Sequence, residues 1–328
     1  MQSAMKRLVV LEHGGPERLT LVDVPTPAPG PRDALVAIAF SGVNFIDVYF
    51  RTGLYKSDLP VILGSEAAGT IERVGSDVTE VAPGDRVVYA MARGSHAEYA
   101  VVPAAQLVKI PDAVDFKTAA AVMLQGTTAH YLTHSTFPLA AGQTCLVHAA
   151  AGGAGGLIVQ MAKQRGARVI GTVSTDAKAR EARDLGADDV ILYTTQDFET
   201  EVMRLTGGRG VDVVYDSVGQ TTFEKGLKVI RSRGMMALFG QSSGPVPPFD
   251  PNVLNARGSL FLTRPSLGHY LATREELLWR AGEVMRLVAS GALTVRIFAA
   301  YPLSDAARAY RDLEGRKTTG KLVLAVRP

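Results

Sequence analysis

The run Leu146-Val147-His148-Ala149-Ala150-Ala151-Gly152-Gly153-Ala154-Gly155-Gly156 leads from an apolar stretch through small residues into Leu157-Ile158-Val159-Gln160-Met161-Ala162-Lys163. Leu157, Ile158, Met161 and Ala162 fall on one face of a helix. Gly152, Gly153, Ala154 and Gly155 carry little side chain, so backbone N–H groups can approach a pyrophosphate at a helix N-terminus. The aligned peptide dipoles leave partial positive charge there. The spacing is AxxGxxG rather than GxGxxG, a weak pattern alone that a structural glycine-rich turn would also satisfy. The strand before it and the helix after it favour dinucleotide binding.

About twenty residues on, a second strand ends in Gly171-Thr172-Val173-Ser174-Thr175-Asp176-Ala177-Lys178. An NAD site wants an acidic residue at that strand end for the ribose hydroxyls. Val173 stands there instead, and Ser174, Thr175 and Lys178 suit a 2′-phosphate. Asp176 falls where a helix N-cap belongs. The expected cofactor is therefore NADP, as NADPH; the alternative is an ordinary solvated helix start.

Other chemistries find less support. Cys145 is the one cysteine, which excludes an intramolecular disulfide and any multi-thiolate metal site. His130 and His134 stand four apart on a helix, but no third ligand follows nearby in sequence, and no metal is expected. Gly315-x-x-x-x-Gly320-Lys321 imitates a phosphate loop, yet Leu322 replaces the Ser/Thr that would meet Mg²⁺, and a strand rather than a helix follows. None of the ten tyrosines has a lysine four positions later, so the Tyr/Lys pair of short-chain reductases is missing.

These residues need a scaffold, and 328 residues at ~100–200 per domain suggest about two domains. The 35 Lys+Arg and 32 Asp+Glu nearly cancel to +3, and no basic run exceeds two residues, so no nucleic acid is expected as partner. No apolar stretch of ~18 residues suggests a membrane span, and the first residues lack the apolar core of a leader. The expectation is a soluble, cytoplasmic protein starting at Met1 or Met5.

Up to about residue 125 the chain reads as short strands (7–12, 19–24, 34–40, 69–74, 86–89 and 95–102) broken by turns such as Pro25-Thr26-Pro27-Ala28-Pro29-Gly30. That is barrel or sandwich chemistry. An Ala-rich helix follows near Phe116. From Thr144, strands and helices alternate through residue 239, which predicts βαβ units and a doubly wound parallel sheet. After Thr263 a helix (275–289), a strand (294–301), a helix (304–314) and a strand (321–326) form a tail too short for a third domain. It is expected to return to the first.

Gly142-Gln143-x-x-Leu146, Ala150-Ala151-Gly152-Gly153-x-Gly155 and Gln160-x-x-Lys163 resemble the signature of the zeta-crystallin-type quinone oxidoreductases. These are zinc-free members of the medium-chain dehydrogenase/reductase superfamily. Gly42-Val43-Asn44-Phe45-Ile46-Asp47, Gly64-Ser65-Glu66-Ala67-Ala68-Gly69, Pro83-Gly84-Asp85-Arg86-Val87, Tyr215-Asp216-Ser217-Val218-Gly219 and Thr263-Arg264-Pro265-Ser266 follow in family order. The resemblance implies an α/β protein: a GroES-like, β-rich catalytic domain (1–126 and 264–328) and a Rossmann NADP-binding domain (127–263), with the cofactor in the cleft between them. Zinc-dependent cousins carry Cys-His near Asn44-Phe45 and Gly-His-Glu where this chain has Gly64-Ser65-Glu66, so both metal-ligating positions are lost here.

The resemblance also implies site residues. Asn44, Phe45, Ile46 and Asp47 line the nicotinamide side, with Tyr49 and Tyr55 flanking the acceptor pocket. Tyrosine suits this place because its ring packs a flat acceptor and its hydroxyl donates a hydrogen bond. Packing alone would also explain both tyrosines, and a helix cap would explain Asn44, which heads a short helix over 44–51. Tyr193 is implied near the adenine or 2′-phosphate. Ser217, Phe239, Gly240, Gln241, Ser242, Thr263 and Arg264 follow as further cofactor contacts at strand ends. His130 stands where close relatives often have Tyr. Lys321 faces the cofactor or is a surface lysine. Gly156 departs from the pattern and should loosen its helix turn by ~0.5–1 kcal/mol relative to Ala.

The expected function is transfer of reducing equivalents from NADPH to a quinone without a metal. An α,β-unsaturated carbonyl reductase is the alternative; a structural or RNA-binding crystallin-like role is the minor one. One- and two-electron transfer both stay open. A homodimer joined near residues 258–262 is implied by the resemblance.

Overall fold

The computed structural model describes residues 4–327; Met1, one of the two candidate starts, lies outside the described residues. The chain divides into two units, Met1–Thr127 with Leu271–Pro328, and Thr128–Tyr270.

The first unit opens with β1 (Ala4–Val10), β2 (Leu19–Pro25), β3 (Asp33–Val43), α1 (Phe45–Arg51), β4 (Val61–Ile62), β5 (Glu66–Val74), β6 (Arg86–Ala90), β7 (Tyr99–Pro103) and β8 (Val108–Lys109). Helix α2 (Phe116–Tyr131) ends this stretch, and the unit boundary falls within it. The strand expected over 95–102 begins only at Tyr99, because Ser95 and His96 turn inward to hydrogen-bond Ser41.

The second unit alternates β9 (Thr144–His148), α3 (Gly153–Gln164), β10 (Arg168–Val173), α4 (Asp176–Asp184), β11 (Asp189–Leu192), α5 (Phe198–Leu205), β12 (Val211–Asp216), α6 (Phe223–Lys228), β13 (Ile230–Leu238), α7 (Asn252–Ala256), β14 (Phe261–Thr263) and α8 (Leu267–Tyr270). Its sheet runs β11-β10-β9-β12-β13-β14 with every pair parallel. β9 and β12 are buried along their whole length, as strands covered on both faces must be. The order reverses between β9 and β12. That is the switch point outside which open α/β sheets bind ligands.

The chain then returns to the first unit with α9 (Arg274–Ala289), β15 (Ile297–Pro302), α10 (Ala306–Glu314) and β16 (Lys321–Ala325). Thr273 caps α9 by accepting from the Glu276 backbone N–H. β16 pairs antiparallel with β3, which completes the sheet β15-β16-β3-β5-β6-β8, with β7 also on β3. One core of this unit gathers Val36, Ile38, Ile71, Val87 and Val102; a second joins Leu8, Val43, Tyr310, Leu322 and Leu324 under α10. Among the described residues no helix is long and apolar enough to cross a membrane.

Candidate active site

In the second unit the expected cofactor residues other than His130 collect where the parallel strands end. After β9 the chain turns through Ala149, whose φ of 54° lies in the left-handed region, and the Gly152 N–H donates to the Ala149 carbonyl at 2.8 Å. A Cβ on Gly155 would collide with that same carbonyl oxygen. Glycine is therefore demanded there by the turn itself. Gly152, the N-cap of α3, brings no capping side chain. The first-turn N–H groups, which no helix can satisfy internally, are left to meet a phosphate, so a dinucleotide pyrophosphate fits. Gly156 does more than loosen its turn: a Cβ there would meet Leu185 Cδ1 at 2.8 Å, so the missing side chain lets Leu185 pack on α3.

β10 ends in buried Val173, and half-buried Ser174 and exposed Thr175 follow. The cap of α4 is Thr175 and not Asp176, one residue earlier than expected. Thr175 has the extended backbone of an N-cap and its hydroxyl accepts from the Lys178 N–H at 3.3 Å. Asp176 is the first helical residue, where its charge suits the helix dipole. The Tyr193 N–H donates to the Val173 carbonyl at 3.1 Å, and the Thr194 hydroxyl to the Ser174 carbonyl at 3.2 Å, so these strand ends form one rim.

The next rim joins the ends of β12 and β13. The Asp216 carboxylate accepts from Val218 N (2.7 Å), Gly219 N (3.1 Å) and the Thr222 hydroxyl (2.8 Å), which shapes the loop carrying Ser217. The Ser242 N–H donates to the Ser217 carbonyl at 3.1 Å, and a Cβ on Gly240 would lie 2.6 Å from it, so Phe239-Gly240-Gln241-Ser242 sits tightly on that loop. Thr263 ends β14, and Arg264 is exposed just after it. His130 comes from α2 rather than from a strand end; it is buried, with its ring stacked on His134 at 4.2 Å.

The first unit builds something different. Leu322 pairs with Val43 across β16 and β3, and Ser41 with Ala67 across β3 and β5. Lys321, heading β16, and Glu66, heading β5, therefore arrive from two sides at the end of β3, beside Asn44. Lys321 Nζ donates to Glu66 Oε2 and to Asn44 Oδ1, each at 2.6 Å. Asn44 Nδ2 donates to Glu66 Oε2 at 2.9 Å, and Glu66 Oε1 accepts from the Leu124 N–H at 2.6 Å. All three side chains are buried, Glu66 completely. Lys321 is no surface lysine. Nor does Asn44 act as a helix cap: it occupies the N-cap position of α1, but its side chain turns to Glu66 and Lys321. Burial lowers the Lys321 ammonium below its usual pKa, while Glu66 pulls it back up.

Asp47 faces inward beside this cluster. It accepts from Ser65 Oγ (2.9 Å) and the Gly64 N–H (3.1 Å), and burial pushes its pKa up to about 6. His96 lies 2.8 Å from both Ser41 Oγ and Tyr310 OH, and burial drives its pKa down to about 3, so the ring is neutral. Tyr49 and Tyr55 form an aromatic group, their rings tilted at 5.1 Å with Phe45 and Phe50 alongside. Phe45 and Ile46 are half-buried.

Glu66 is the one member of this cluster that the sequence does not single out as a site residue. Its signal was a carboxylate heading the apolar run Ala67-Ala68-Gly69. The structure adds Gly42, where a Cβ would collide with Glu66 Oε2 and lie 2.8 Å from the Ala120 carbonyl.

Comparison with known proteins agrees with this architecture. The alcohol dehydrogenase GroES-like domain family matches residues 30–112, and the zinc-binding dehydrogenase family matches residues 153–277. A quinone oxidoreductase of Pseudomonas aeruginosa is 45% identical over 97% of this chain and 99% of its own length. A 2-haloacrylate reductase of a Burkholderia species is 41% identical over 96% of this chain and 97% of its own. The crystal structure of Escherichia coli quinone oxidoreductase complexed with NADPH superposes with a TM-score of 0.96 at 43% identity, covering 98% of this chain and all of that one. With the strand-end rims of its Rossmann unit and the GroES-like sheet of the other, the chain belongs to the quinone oxidoreductases of the medium-chain dehydrogenase/reductase superfamily.

Proposed function

We propose that this protein reduces a quinone with NADPH, and the observation that carries the reading is the buried Lys321–Asn44–Glu66 cluster. The zinc named in the description of one matching family does not fit here. At the positions where zinc-dependent cousins carry Cys and His stand an amide bound to Lys321 and Glu66 and a hydroxyl bound to Asp47. An ammonium already neutralises the nearby carboxylate. This is not a donor set for Zn²⁺. An ordinary ketone reduced to an alkoxide needs strong electrophilic help. A quinone is electron-poor and gains aromaticity, so positioning, a fixed positive charge and one or two hydrogen bonds suffice.

Bound NADPH supplies the hydride. The first turn of α3, with Gly152, Gly153, Ala154 and Gly155, holds the pyrophosphate; Ser174, Thr175 and Lys178 take the 2′-phosphate, with Tyr193 by the adenine. Ser217, Phe239, Gly240, Gln241, Ser242, Thr263, Arg264 and His130 complete the cradle of the Rossmann unit. On the other unit Asn44, Phe45, Ile46, Asp47 and Lys321 face the nicotinamide. Tyr49 and Tyr55 pack a flat acceptor, and the Tyr49 hydroxyl donates to it. The likeness to a 2-haloacrylate reductase favours one second reading, reduction of an α,β-unsaturated carbonyl, with Tyr49 as proton donor to the enolate. We read the protein as a cytoplasmic homodimer.

Stopped-flow oxidation of NADPH against a panel of quinones and enones, with product identification, tests the assignment. Quinone turnover that survives prolonged chelation is expected. Negligible turnover of several quinones, with an enone reduced fast, would move the assignment to the second reading.

A further inference from the structure

Glu66 spends a buried carboxylate on two functional side chains and nothing else but a backbone N–H. Such a group is costly to bury and is kept in place only by good geometry and full hydrogen bonding. Here both conditions hold. Three donors lie between 2.6 and 2.9 Å, and residue 42 is a glycine whose missing Cβ leaves the space that the carboxylate fills. Its contacts also choose the orientation of Asn44. With Nδ2 on Glu66, Oδ1 is left to accept from Lys321. Glu66 and Asn44 thus take two of the three ammonium hydrogens and fix the charge in place.

We propose that Glu66 is a positioning residue for the reduction: it holds Lys321 charged and fixed beside Asn44, so that an ammonium at this end of β3 replaces the positive charge that zinc supplies in the metal-dependent cousins. The role rests on the reading of the protein as an NADPH-dependent reductase. It applies equally to the oxygen charge left on a quinone or on an enone, and it needs no proton to leave Lys321. The charged and titratable groups around Lys321 are few. Glu66 on β5 and Asp47 on α1 favour the ammonium, and burial opposes it; the His96 ring before β7 is neutral. Without Glu66, burial is countered by Asp47 alone. Loss of an adjacent opposite charge displaces such an equilibrium by about 1–3 pH units.

The test measures kcat and thermal midpoint against pH for wild type, Glu66→Gln and the double variant Glu66→Gln/Lys321→Met. In E66Q the alkaline fall in kcat should begin about 1–3 pH units lower than in wild type, each unit meaning about a tenfold loss at a fixed pH on that limb. The thermal midpoint should move with it. A lysine whose folded pKa lies below its unfolded value penalises the fold at low pH. That penalty is relieved as pH rises towards the unfolded value. The rise in stability should therefore also begin lower in E66Q, and be absent in the double variant, whose kcat stays low at every pH.

A Glu66→Gln protein with the wild-type kcat and pH profile overturns the proposal, as does a double variant with wild-type kcat, which would make the pair structural. If Glu66→Gln does not fold, Glu66→Asp decides. The charge is then kept but drawn back, so kcat should fall by at least about tenfold with no new alkaline limb, the scale of one misplaced charged hydrogen bond; an undiminished kcat overturns the role. The thermal measurement uses no acceptor. Failure to reduce quinones therefore counts against the assigned function, and an unmoved stability window against Glu66.

Discussion

The turn into α3 in the Rossmann unit is made by backbone, and the cluster of the GroES-like unit by side chains. The first lies within a few consecutive residues: Ala149 turns left-handed, Gly155 slides against its carbonyl, and Gly152 leaves the helix start uncapped. The second draws Asn44 from the head of α1, Glu66 from β5, Lys321 from β16 and a backbone N–H from α2, and buries the three side chains. A ligand phosphate needs many weak donors that tolerate exchange with water, which a helix end supplies. A fixed charge for catalysis needs a low-dielectric place and exact partners, which only packed strands supply.

If that contrast holds, the two regions break differently. The largest effect is expected at Gly155→Ala, which drives a Cβ into the Ala149 carbonyl. A loss of ~3 kcal/mol, the upper end for overpacking, should appear in denaturant unfolding, together with loss of NADPH binding in a titration. An unchanged midpoint would mean that the turn does not depend on this contact.

The first unit offers the opposite case, a change that stabilises. Burial raises Asp47 to about 6 from 3.8, so the folded state holds a proton that the unfolded chain releases earlier. The fold therefore loses stability as pH rises from about 4 to about 6 and keeps that penalty above it. Asp47→Asn, which retains an oxygen for Ser65 and Gly64, should be more stable than wild type by on the order of 2–3 kcal/mol at pH 8, and equal to it near pH 4. Unfolding curves at the two pH values check this, and a variant less stable at pH 8 contradicts it.

Lys178→Ala sharpens the comparison from the cofactor side. It removes one charged contact, worth ~1.5–3 kcal/mol, so NADPH should bind ten- to over a hundredfold more weakly while NADH is little affected. Equal affinity of the wild type for both cofactors would remove the basis for the 2′-phosphate site. The smallest change is expected at Tyr49→Phe. Its ring packs on Tyr55 and is retained, so quinone turnover should fall less than about tenfold. A loss of about 10²–10⁴-fold with an enone would instead mark Tyr49 as a general acid.

How legible each region was follows from the range of its contacts. Gly152, Gly155 and Val173 announce themselves because a turn and a strand end are set by neighbours in the chain. The cap of α4 was misplaced by one residue, since Thr175 and Asp176 are both good capping types and only the backbone angles separate them. Gly156 was read as a weakness because Leu185, which fills the space beside it, lies on a different element.

By itself the sequence determined the two kinds of scaffold, the glycine-rich turn into α3 and the absence of an acid at the end of β10, all of which rest on local spacing. Only the tertiary structure decided that Lys321 and Glu66, 255 residues apart, share a hydrogen bond of 2.6 Å. It likewise decided that Asn44 serves them rather than its own helix. The reason is physical: the pairing of β16 with β3 places these groups together, and no periodicity in either segment records a neighbour that arrives from the far end of the chain.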